Sequence, residues 1–371
     1  MDMCVKMLNP REDETMIDTA SGSCGFPVHT IFHVRERIIA DKGLDKNRLF
    51  TFEKKSARRV DYVNEKAFAV DFDEKAARTL NLIAGDGQTN VLHLNTLDYE
   101  RWDERTKDGS WTDIYSEGWK KLKKTRAAKD NRAFTFDILM ANPPFAGDIK
   151  ESRILAKYDL GRKAKGACQN EIGRDILFIE RNLDFLRPGG RMAIAPPQGR
   201  FNNSSDAYIR AFLAELRRIL AVAGLRGDTF KPRASTKTSA LFVQKWDEKR
   251  RPKVEGYPIF FAAMQESGKD NSGDKIHEPL QGKHGHLIVR RDLFNRGGET
   301  RDGIAEAFVE FAKKDGLSFL GGPFDDAKRK ALLEYLEASE IRLSELLSEN
   351  ERFGIDAEFV KKEYLQIINL L

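Results

Sequence analysis

The feature that most constrains this chain is a pair of prolines placed directly after an apolar run. Residues 136–141 read FDILMA, and Asn142, Pro143, Pro144 and Phe145 follow them. The run predicts a buried strand, and consecutive prolines continue neither a strand nor a helix interior. The chain must therefore turn out at the carboxyl end of this strand, which is where ligands bind in open α/β sheets.

This turn presents groups that suit a planar base with an exocyclic amino group. The side-chain oxygen of Asn142 and the carbonyl of Pro143 are acceptors for two N–H hydrogens, and the ring of Phe145 can stack on the base. The alternative is an ordinary Pro-Pro loop with Phe145 packed inward. The candidate catalytic residues are Asn142, Pro143, Pro144 and Phe145.

A second turn of small residues lies near the start of the chain. Residues 15–17 predict a short strand, residues 18–26 read DTASGSCGF, and the apolar spacing from residue 26 to 38 predicts a helix. Glycines in such a turn let the backbone approach a nucleotide closely. Because the spacing is not G-x-G-x-x-G, Asp18, Gly22 and Gly25 suit a ligand with an amino-acid end better than a dinucleotide. The alternative is a plain tight turn.

Two further predicted strands end on polar residues. The strand at residues 68–73 closes on Asp71, where an acidic side chain holds ribose hydroxyls, and Asp73 suits the N-cap of the next helix. The strand at residues 91–94 ends at Asn95, which we expect near the adenine ring of a bound nucleoside. The candidate cofactor-binding residues are Asp18, Ala20, Gly22, Gly25, Asp71 and Asn95.

Taken in order, these segments resemble the modification (methylase) subunits of type I restriction–modification systems, which are N6-adenine DNA methyltransferases. The DTASGSCGF turn is similar to the family's D-P-A-C-G-T-G-G-F, with Ser21 in place of a cysteine and Cys24 in place of a glycine. The NPPF motif is identical. Further similar segments are RPGGR at 187–191, KTSALF at 237–242, YPIFF at 257–261 and the Lys269-Asp270 region.

The resemblance implies a Rossmann-like, S-adenosylmethionine-dependent methyltransferase fold and methyl transfer to N6 of adenine in double-stranded DNA. Asn142 and Pro143 would accept both amino hydrogens, and Phe145 would stack on a base flipped out of the duplex. It also implies a specificity subunit and a restriction subunit as partners. A side chain on Cys24 is expected to crowd the cofactor or to change the backbone angle.

The resemblance also bears on the ends of the chain. The family carries a helical domain before the first strand, so we expect this chain to be truncated at its N-terminus. Residues 351–359 resemble, weakly, the opening of type I specificity subunits, which favours a fusion or junction there; an ordinary amphipathic tail is the alternative. The predicted domains are 1–250, the methyltransferase domain, and 251–371, a mostly helical extension that contacts a partner.

Alternating strands and helices predict a doubly wound, mostly parallel α/β sheet. Two segments stand outside it. Residues 102–132 are basic with interleaved aromatic residues, and we favour a solvated helix with docked rings over a DNA-facing insertion. Residues 147–173 are basic and follow the catalytic turn, which predicts a mobile loop that contacts DNA phosphates. The other predicted elements are a helix from 175 to near 188, a strand at 192–195, a helix at 208–220, and strands at 221–225 and 240–244.

Composition adds few constraints. The net charge of +5 permits binding to a polyanion without requiring it. The three cysteines and six histidines form no metal-binding spacing, so no metal site is predicted. Cysteine usage suits a reducing cytoplasm, and no apolar run reaches membrane-spanning length.

Three functions remain open from the sequence. The first is the type I adenine methylase subunit. The second is a protein-glutamine N-methyltransferase, because N-P-P-Y serves an amide nitrogen by the same logic, although Phe145 stands where that class has tyrosine. The third is a non-catalytic, DNA-binding or structural remnant, which Cys24 and the missing N-terminal segment favour.

Overall fold

The computed structural model describes residues 1–41, 62–73, 90–163, 166–232, 234–248, 252–280, 282, 284–295 and 302–320. Contacts within the chain separate Met1–Phe311 from Ala312–Leu371. The domain boundary predicted near residue 250 stays a prediction. The helix predicted after Asp73 and the segment at residues 351–359 lie outside the described residues.

The described strands and helices alternate along most of the larger unit. The strands are β1 (Met16–Asp18), β2 (Ala67–Asp71), β3 (Asn90–His93), β4 (Phe136–Ala141), β5 (Asp148–Ile149), β6 (Ile172–Gly173), β7 (Leu186–Ile194), β8 (Arg217–Gly224), β9 (Ser239–Lys245), β10 (Phe260–Ala263), β11 (His277–Pro279) and β12 (Leu287–Val289). The helices are α1 (Asp2–Leu8), α2 (Gly25–Asp41), α3 (Trp102–Arg105), α4 (Gly109–Lys124), α5 (Ser152–Leu155), α6 (Arg174–Phe185), α7 (Gly199–Asn202), α8 (Ala207–Leu216) and α9 (Ile304–Lys314). Single turns of other helix types are Tyr62–Lys66, Tyr99–Arg101, Ser204–Asp206 and Ser318–Leu320.

An eight-stranded sheet with the order β10-β8-β9-β7-β4-β1-β2-β3 forms the centre. Its strand pairs are parallel except that β9 runs antiparallel to both β7 and β8. The chain moves outward from β1 to β3 and then returns to β4 on the other side of β1. The strand order therefore reverses between β1 and β4, and in such sheets the ligand crevice opens at this reversal. The predicted doubly wound, mostly parallel fold is confirmed.

Two boundaries between helix and strand differ from the prediction. The helix predicted to reach residue 188 ends at Phe185, and β7 begins at Leu186 instead of 192. A shift in register between Phe136 and Ile138 of β4 accommodates the four intervening residues of β7, Arg187 to Gly190. The helix predicted for 208–220 ends at Leu216 because pairing with β9 starts at the next residue. In both cases pairing between strands outweighs local helical periodicity.

The segment at 102–132 folds as the docked helix that the sequence favoured. Asp108 caps α4, since its side chain accepts a hydrogen bond from the N–H of Ser110. The rings of Trp111, Tyr115 and Trp119 are buried. These aromatic residues therefore stabilise the core and are withdrawn from any nucleic acid.

Candidate functional site

The loop between β1 and α2, residues 19–24, is tied to β2 by the carboxylate of Asp71. The N–H of Gly22 donates to Oδ2 of Asp71 at 2.7 Å, and the N–H of Ser21 donates to the carbonyl of Val70 at 3.2 Å. Gly22 has a φ of 50°, a left-handed conformation that glycine adopts without strain. The carboxylate predicted to hold a ribose thus also fixes the shape of the loop.

Asp18 ends β1 as a buried carboxyl group. Its Oδ1 accepts a hydrogen bond from the N–H of Ala20 at 3.1 Å. Burial, with a further contribution from the negative charge of Asp71, raises the pKa of Asp18 to about 8. A cationic amino group placed beside this carboxyl would favour its ionised form. Asp18 is therefore suited to the amino-acid end of a ligand.

Cys24 occupies a backbone conformation that favours glycine. Its φ is 57°, and its N–H donates to the carbonyl of Ser21 at 2.6 Å. The side chain lies within the hydrophobic core, and burial raises the pKa of the thiol to about 12. Cys24 thus has a left-handed backbone angle of the kind that glycine adopts without strain, and its thiol stays neutral.

Buried hydroxyl groups join the loops that follow β1 and β3. The hydroxyl of Thr96 donates to the carbonyl of Thr19 at 2.6 Å. The hydroxyl of Thr19 in turn donates to Oδ1 of Asn182 in α6 at 2.6 Å. Arg181, also in α6 and fully buried, donates from Nε to the carbonyl of Thr96 at 3.0 Å. Helix α6 therefore holds both loops in place.

Asn95 lies in the loop that follows β3 and is exposed. Its Oδ1 accepts a hydrogen bond from the N–H of Leu97 at 3.1 Å, and its carbonyl accepts one from the indole of Trp102 at 2.7 Å. These bonds fix the turn at the edge of the sheet. Asn95 therefore stabilises this turn, and its predicted contact with a ligand would be a second role.

The turn at residues 142–145 leaves the sheet beside the 19–24 loop. Residue Ile17 of β1 pairs with Leu139 of parallel β4, so Asp18 and Asn142 leave neighbouring strands at the same edge of the sheet. Asn142 and Pro144 are exposed, and Pro143 is buried. The structure thus brings the two predicted loops together at the point where the strand order reverses.

Helix α6, which holds the 19–24 loop, also begins beside the residues that follow the 142–145 turn. The N–H of Arg174, the first residue of α6, donates to the carbonyl of Gly147 at 3.0 Å. Just before α6, β6 pairs with β5, with Gly173 opposite Asp148. Helix α6 therefore contacts both sides of the candidate site.

An aromatic residue that the sequence did not single out meets Phe145. The rings of Phe145 and Phe230 are both half-buried, and their centroids lie 5.6 Å apart with an interplanar angle of 78°. Phe230 comes from the connection between β8 and β9. The available signal was a lone aromatic residue in the otherwise polar stretch 226–238, which is too weak to predict a contact across 85 residues of chain (230 − 145).

Part of the segment predicted as a mobile, phosphate-binding loop is paired with residues that follow β3. Arg153 forms two 2.6 Å hydrogen bonds with the carboxylate of Asp98. Lys157 pairs with Glu100 at 2.5 Å, and Tyr158 is buried. These cations neutralise carboxylates that follow β3, so their charge is already compensated without DNA.

The described residues contain no group of three or more His, Cys, Asp or Glu side chains arranged to hold a metal ion. None of the helices in the described part of the chain is both long and apolar enough to cross a membrane.

The sheet order, with one antiparallel strand and a glycine-containing loop at the reversal, defines a Rossmann-like fold of the methyltransferase type. The chain belongs to the N-6 DNA Methylase family, whose model matches residues 1–300.

Several solved structures are similar to this chain at low sequence identity. A type ISP restriction–modification enzyme, LlaGI in complex with a DNA substrate mimic, matches with a TM-score of 0.50 and 13% identity, over 71% of this chain and 27% of that one. The type I enzyme EcoKI M protein matches with a TM-score of 0.44 and 18% identity, over 68% of this chain and 44% of that one.

A type I methyltransferase subunit from Streptococcus thermophilus matches with a TM-score of 0.42 and 15% identity, over 66% of this chain and 43% of that one. This chain spans less than half the length of each of these three structures. A comparison with curated proteins gave no match.

Proposed function

We propose that this chain transfers a methyl group from S-adenosylmethionine to N6 of adenine in DNA, as the modification subunit of a type I restriction–modification system. The observation that carries the proposal is the Asn142 turn beside the 19–24 loop, with Phe145 in edge contact with Phe230. Membership of the N-6 DNA Methylase family also supports this function. Its partners are then double-stranded DNA, a specificity subunit and a restriction subunit.

The residues of the 19–24 loop and its neighbours fit S-adenosylmethionine. Asp18 offers a buried carboxyl group for the cationic amino group of the cofactor, and Asp71 offers a carboxylate for the ribose. The space beside Gly22 is open, since no heavy atom lies within 4 Å of the position that a Cβ would take there. When bound, the cofactor supplies an electrophilic methyl group on a sulfonium and leaves as a neutral thioether.

The catalytic turn acts on the adenine amino group. The lone pair of that nitrogen is delocalised into the ring, so the free amine is a poor nucleophile. Oδ1 of Asn142 and the carbonyl of Pro143 accept its two N–H bonds and localise the lone pair on nitrogen. The nitrogen forms the new N–C bond as the C–S bond breaks, and the methylated nitrogen then releases a proton to water. Positioning therefore supplies most of the rate enhancement, and a strong general base is not required.

The raised pKa of Asp18 predicts a pH-dependent cofactor affinity. Below about pH 7 the ligand amino group is mostly protonated, while Asp18, with a pKa of about 8, must lose its proton to pair with it. Affinity for S-adenosylhomocysteine, which carries the same amino-acid end, should therefore rise by up to about tenfold per pH unit between about pH 6 and 7. Calorimetric titration at several pH values measures this slope.

The control for this pH dependence is Asp18→Asn. The amide keeps an oxygen for the N–H of Ala20 but has no proton to lose, so its affinity should be low and nearly independent of pH in this range. If the affinity of Asp18→Asn changed with pH as steeply as that of the wild type, Asp18 would not be part of the cofactor site.

Asp71→Ala should weaken cofactor binding by about 10- to 100-fold. The variant loses the carboxylate proposed to hold the ribose and also releases Gly22 from its 2.7 Å hydrogen bond. Calorimetry with S-adenosylhomocysteine measures the change. Asp73→Ala is the matched control, because it removes a nearby exposed carboxylate without releasing the loop. Unchanged affinity in Asp71→Ala would exclude Asp71 from the site.

The proposed function is tested by transfer of a labelled methyl group from S-adenosylmethionine to DNA. The chain is assayed alone and with a specificity subunit, and a protein substrate with an accessible glutamine is included in parallel. Transfer to DNA in the presence of the specificity subunit is the expected result. Transfer to the protein alone would support the glutamine N-methyltransferase alternative.

The second candidate function is a non-catalytic, DNA-binding remnant of such a subunit. It is favoured by Cys24, whose left-handed backbone conformation in the cofactor loop is one that glycine adopts more readily. Failure of a folded chain to bind S-adenosylhomocysteine, together with retained DNA binding, would support this second candidate.

A further inference from the structure

The loop that carries Phe230 is held from outside the central sheet by Lys269. The ammonium Nζ of Lys269 donates to the carbonyl of Thr229 at 2.9 Å and to the carbonyl of Lys231 at 2.6 Å. Thr229 and Lys231 are the two neighbours of Phe230 in the chain. One charged donor therefore fixes the backbone on both sides of the ring, and hydrogen bonds from a charged group are the stronger kind.

A second contact runs in the opposite direction. The ammonium group of Lys231 donates to the carbonyl of Asn271 at 2.8 Å. The Phe230 loop and the turn at residues 270–274 therefore exchange lysine-to-carbonyl hydrogen bonds. Asp270 closes this turn, because its Oδ1 accepts hydrogen bonds of 2.9, 2.8 and 2.9 Å from the N–H groups of Ser272, Gly273 and Asp274.

Gly273 lets the turn lie directly against the Phe230 loop. A Cβ at this position would lie 2.9 Å from the backbone carbon of Lys231 and 2.9 Å from the nitrogen of Pro232. The φ of Gly273 is 97°, which residues with a side chain rarely adopt. The backbone contact therefore depends on glycine.

We propose that Lys269 is a positioning residue that sets the orientation of Phe230 against Phe145, with Asp270 shaping the turn that supports it. The proposal rests on the proposed function in so far as this ring pair contacts the target adenine. Neither Lys269 nor Asp270 is then a catalytic residue, because both act through the backbone of the Phe230 loop. The Lys269-Asp270 segment, which resembles a segment of the family, would then support the loop that carries Phe230.

The orientation of Phe230 can be measured without substrate. The full chain is prepared with 4-fluorophenylalanine at position 230, and its ¹⁹F NMR signal is compared in wild type, Lys269→Met, Lys269→Arg and Lys275→Met. Lys269→Met should shift and broaden the signal, because the ring loses its fixed place beside Phe145, and Lys269→Arg should restore part of the original signal. Lys275 is an exposed lysine of the same segment, so Lys275→Met should change nothing.

An unchanged ¹⁹F signal in a folded Lys269→Met chain would overturn the proposal. If Lys269→Met does not fold, Asp270→Asn and Gly273→Ala are compared in the same way, since one weakens the turn and the other pushes it away from Lys231. A native signal in both of these variants would equally overturn it.

A kinetic measurement separates positioning from a merely structural role. In the DNA transfer assay, Lys269→Met should lower kcat by about 10- to 100-fold, while its affinity for S-adenosylhomocysteine stays that of the wild type. Loss of cofactor affinity together with kcat would indicate general destabilisation and contradict the positioning role. If the wild-type chain transfers no methyl group, the proposed function fails, and the ¹⁹F comparison still decides whether Lys269 orients Phe230.

Discussion

Replacing Asn142 with alanine is expected to abolish methyl transfer, with a loss of about 1,000-fold in rate. The side-chain oxygen at this position is one of the two acceptors proposed to localise the lone pair of the amino nitrogen, and the remaining carbonyl of Pro143 cannot bind both N–H groups. The 19–24 loop, which we propose binds the cofactor, leaves the neighbouring strand β1, so affinity for S-adenosylhomocysteine should stay that of the wild type. Single-turnover transfer and calorimetry measure the two quantities.

Asn142→Asp is the matched control for the alanine variant. It keeps an acceptor oxygen in the same place, so it should retain part of the rate that Asn142→Ala loses. Transfer by Asn142→Ala at the rate of the wild type would contradict the mechanism. Loss of cofactor affinity in Asn142→Ala would instead show that the turn contributes to cofactor binding.

Replacing Glu14 with alanine is expected to lower the free energy of unfolding by about 3–5 kcal/mol. Glu14 and Arg191 are both buried, and their two hydrogen bonds measure 2.6 and 2.7 Å. Arg191 also donates to the carbonyl of Leu8 at 2.7 Å, so the pair ties the end of α1 to β7. Removal of the carboxylate leaves the buried guanidinium its carbonyl partners Leu8 and Asn9 but takes away the negative charge of Glu14.

Urea denaturation measures this effect, and two further variants define its origin. The double variant Glu14→Leu, Arg191→Met removes both charges, so it should regain a large part of the lost stability. Asp13→Ala removes an exposed carboxylate next to Glu14 and should change the stability by less than about 0.5 kcal/mol. A change of less than about 1 kcal/mol in Glu14→Ala, which is typical of surface pairs, would contradict this account.

The parts of the fold that the sequence predicted have strong local signals. The apolar run before the prolines predicted a strand at 136–141, and β4 occupies Phe136–Ala141. The polar ends of the first three strands likewise predicted where β1, β2 and β3 stop, to within one or two residues. Because parallel strands end at the same edge of a sheet, the sequence also predicted that the ends of these strands lie together.

The remaining features depend on contacts between distant residues. Thr19 and Asn182 are 163 residues apart, and Lys269 reaches the carbonyls of Thr229 and Lys231 from 40 and 38 residues away. The sequence shows the charge of Arg153 but not that Asp98 already neutralises it. Which residues become partners depends on tertiary packing, and neither the periodicity nor the composition of the sequence predicts it.

The proposed methyl transfer to N6 of adenine is tested most directly by identifying the methylated atom. DNA is incubated with the chain, a specificity subunit and S-adenosylmethionine that carries a trideuterated methyl group, and the digested nucleosides are analysed by mass spectrometry. We expect the label in N6-methyladenine, and its loss in Asn142→Ala. Label in cytosine or only in protein, or no label from a folded chain that binds the cofactor, would contradict it.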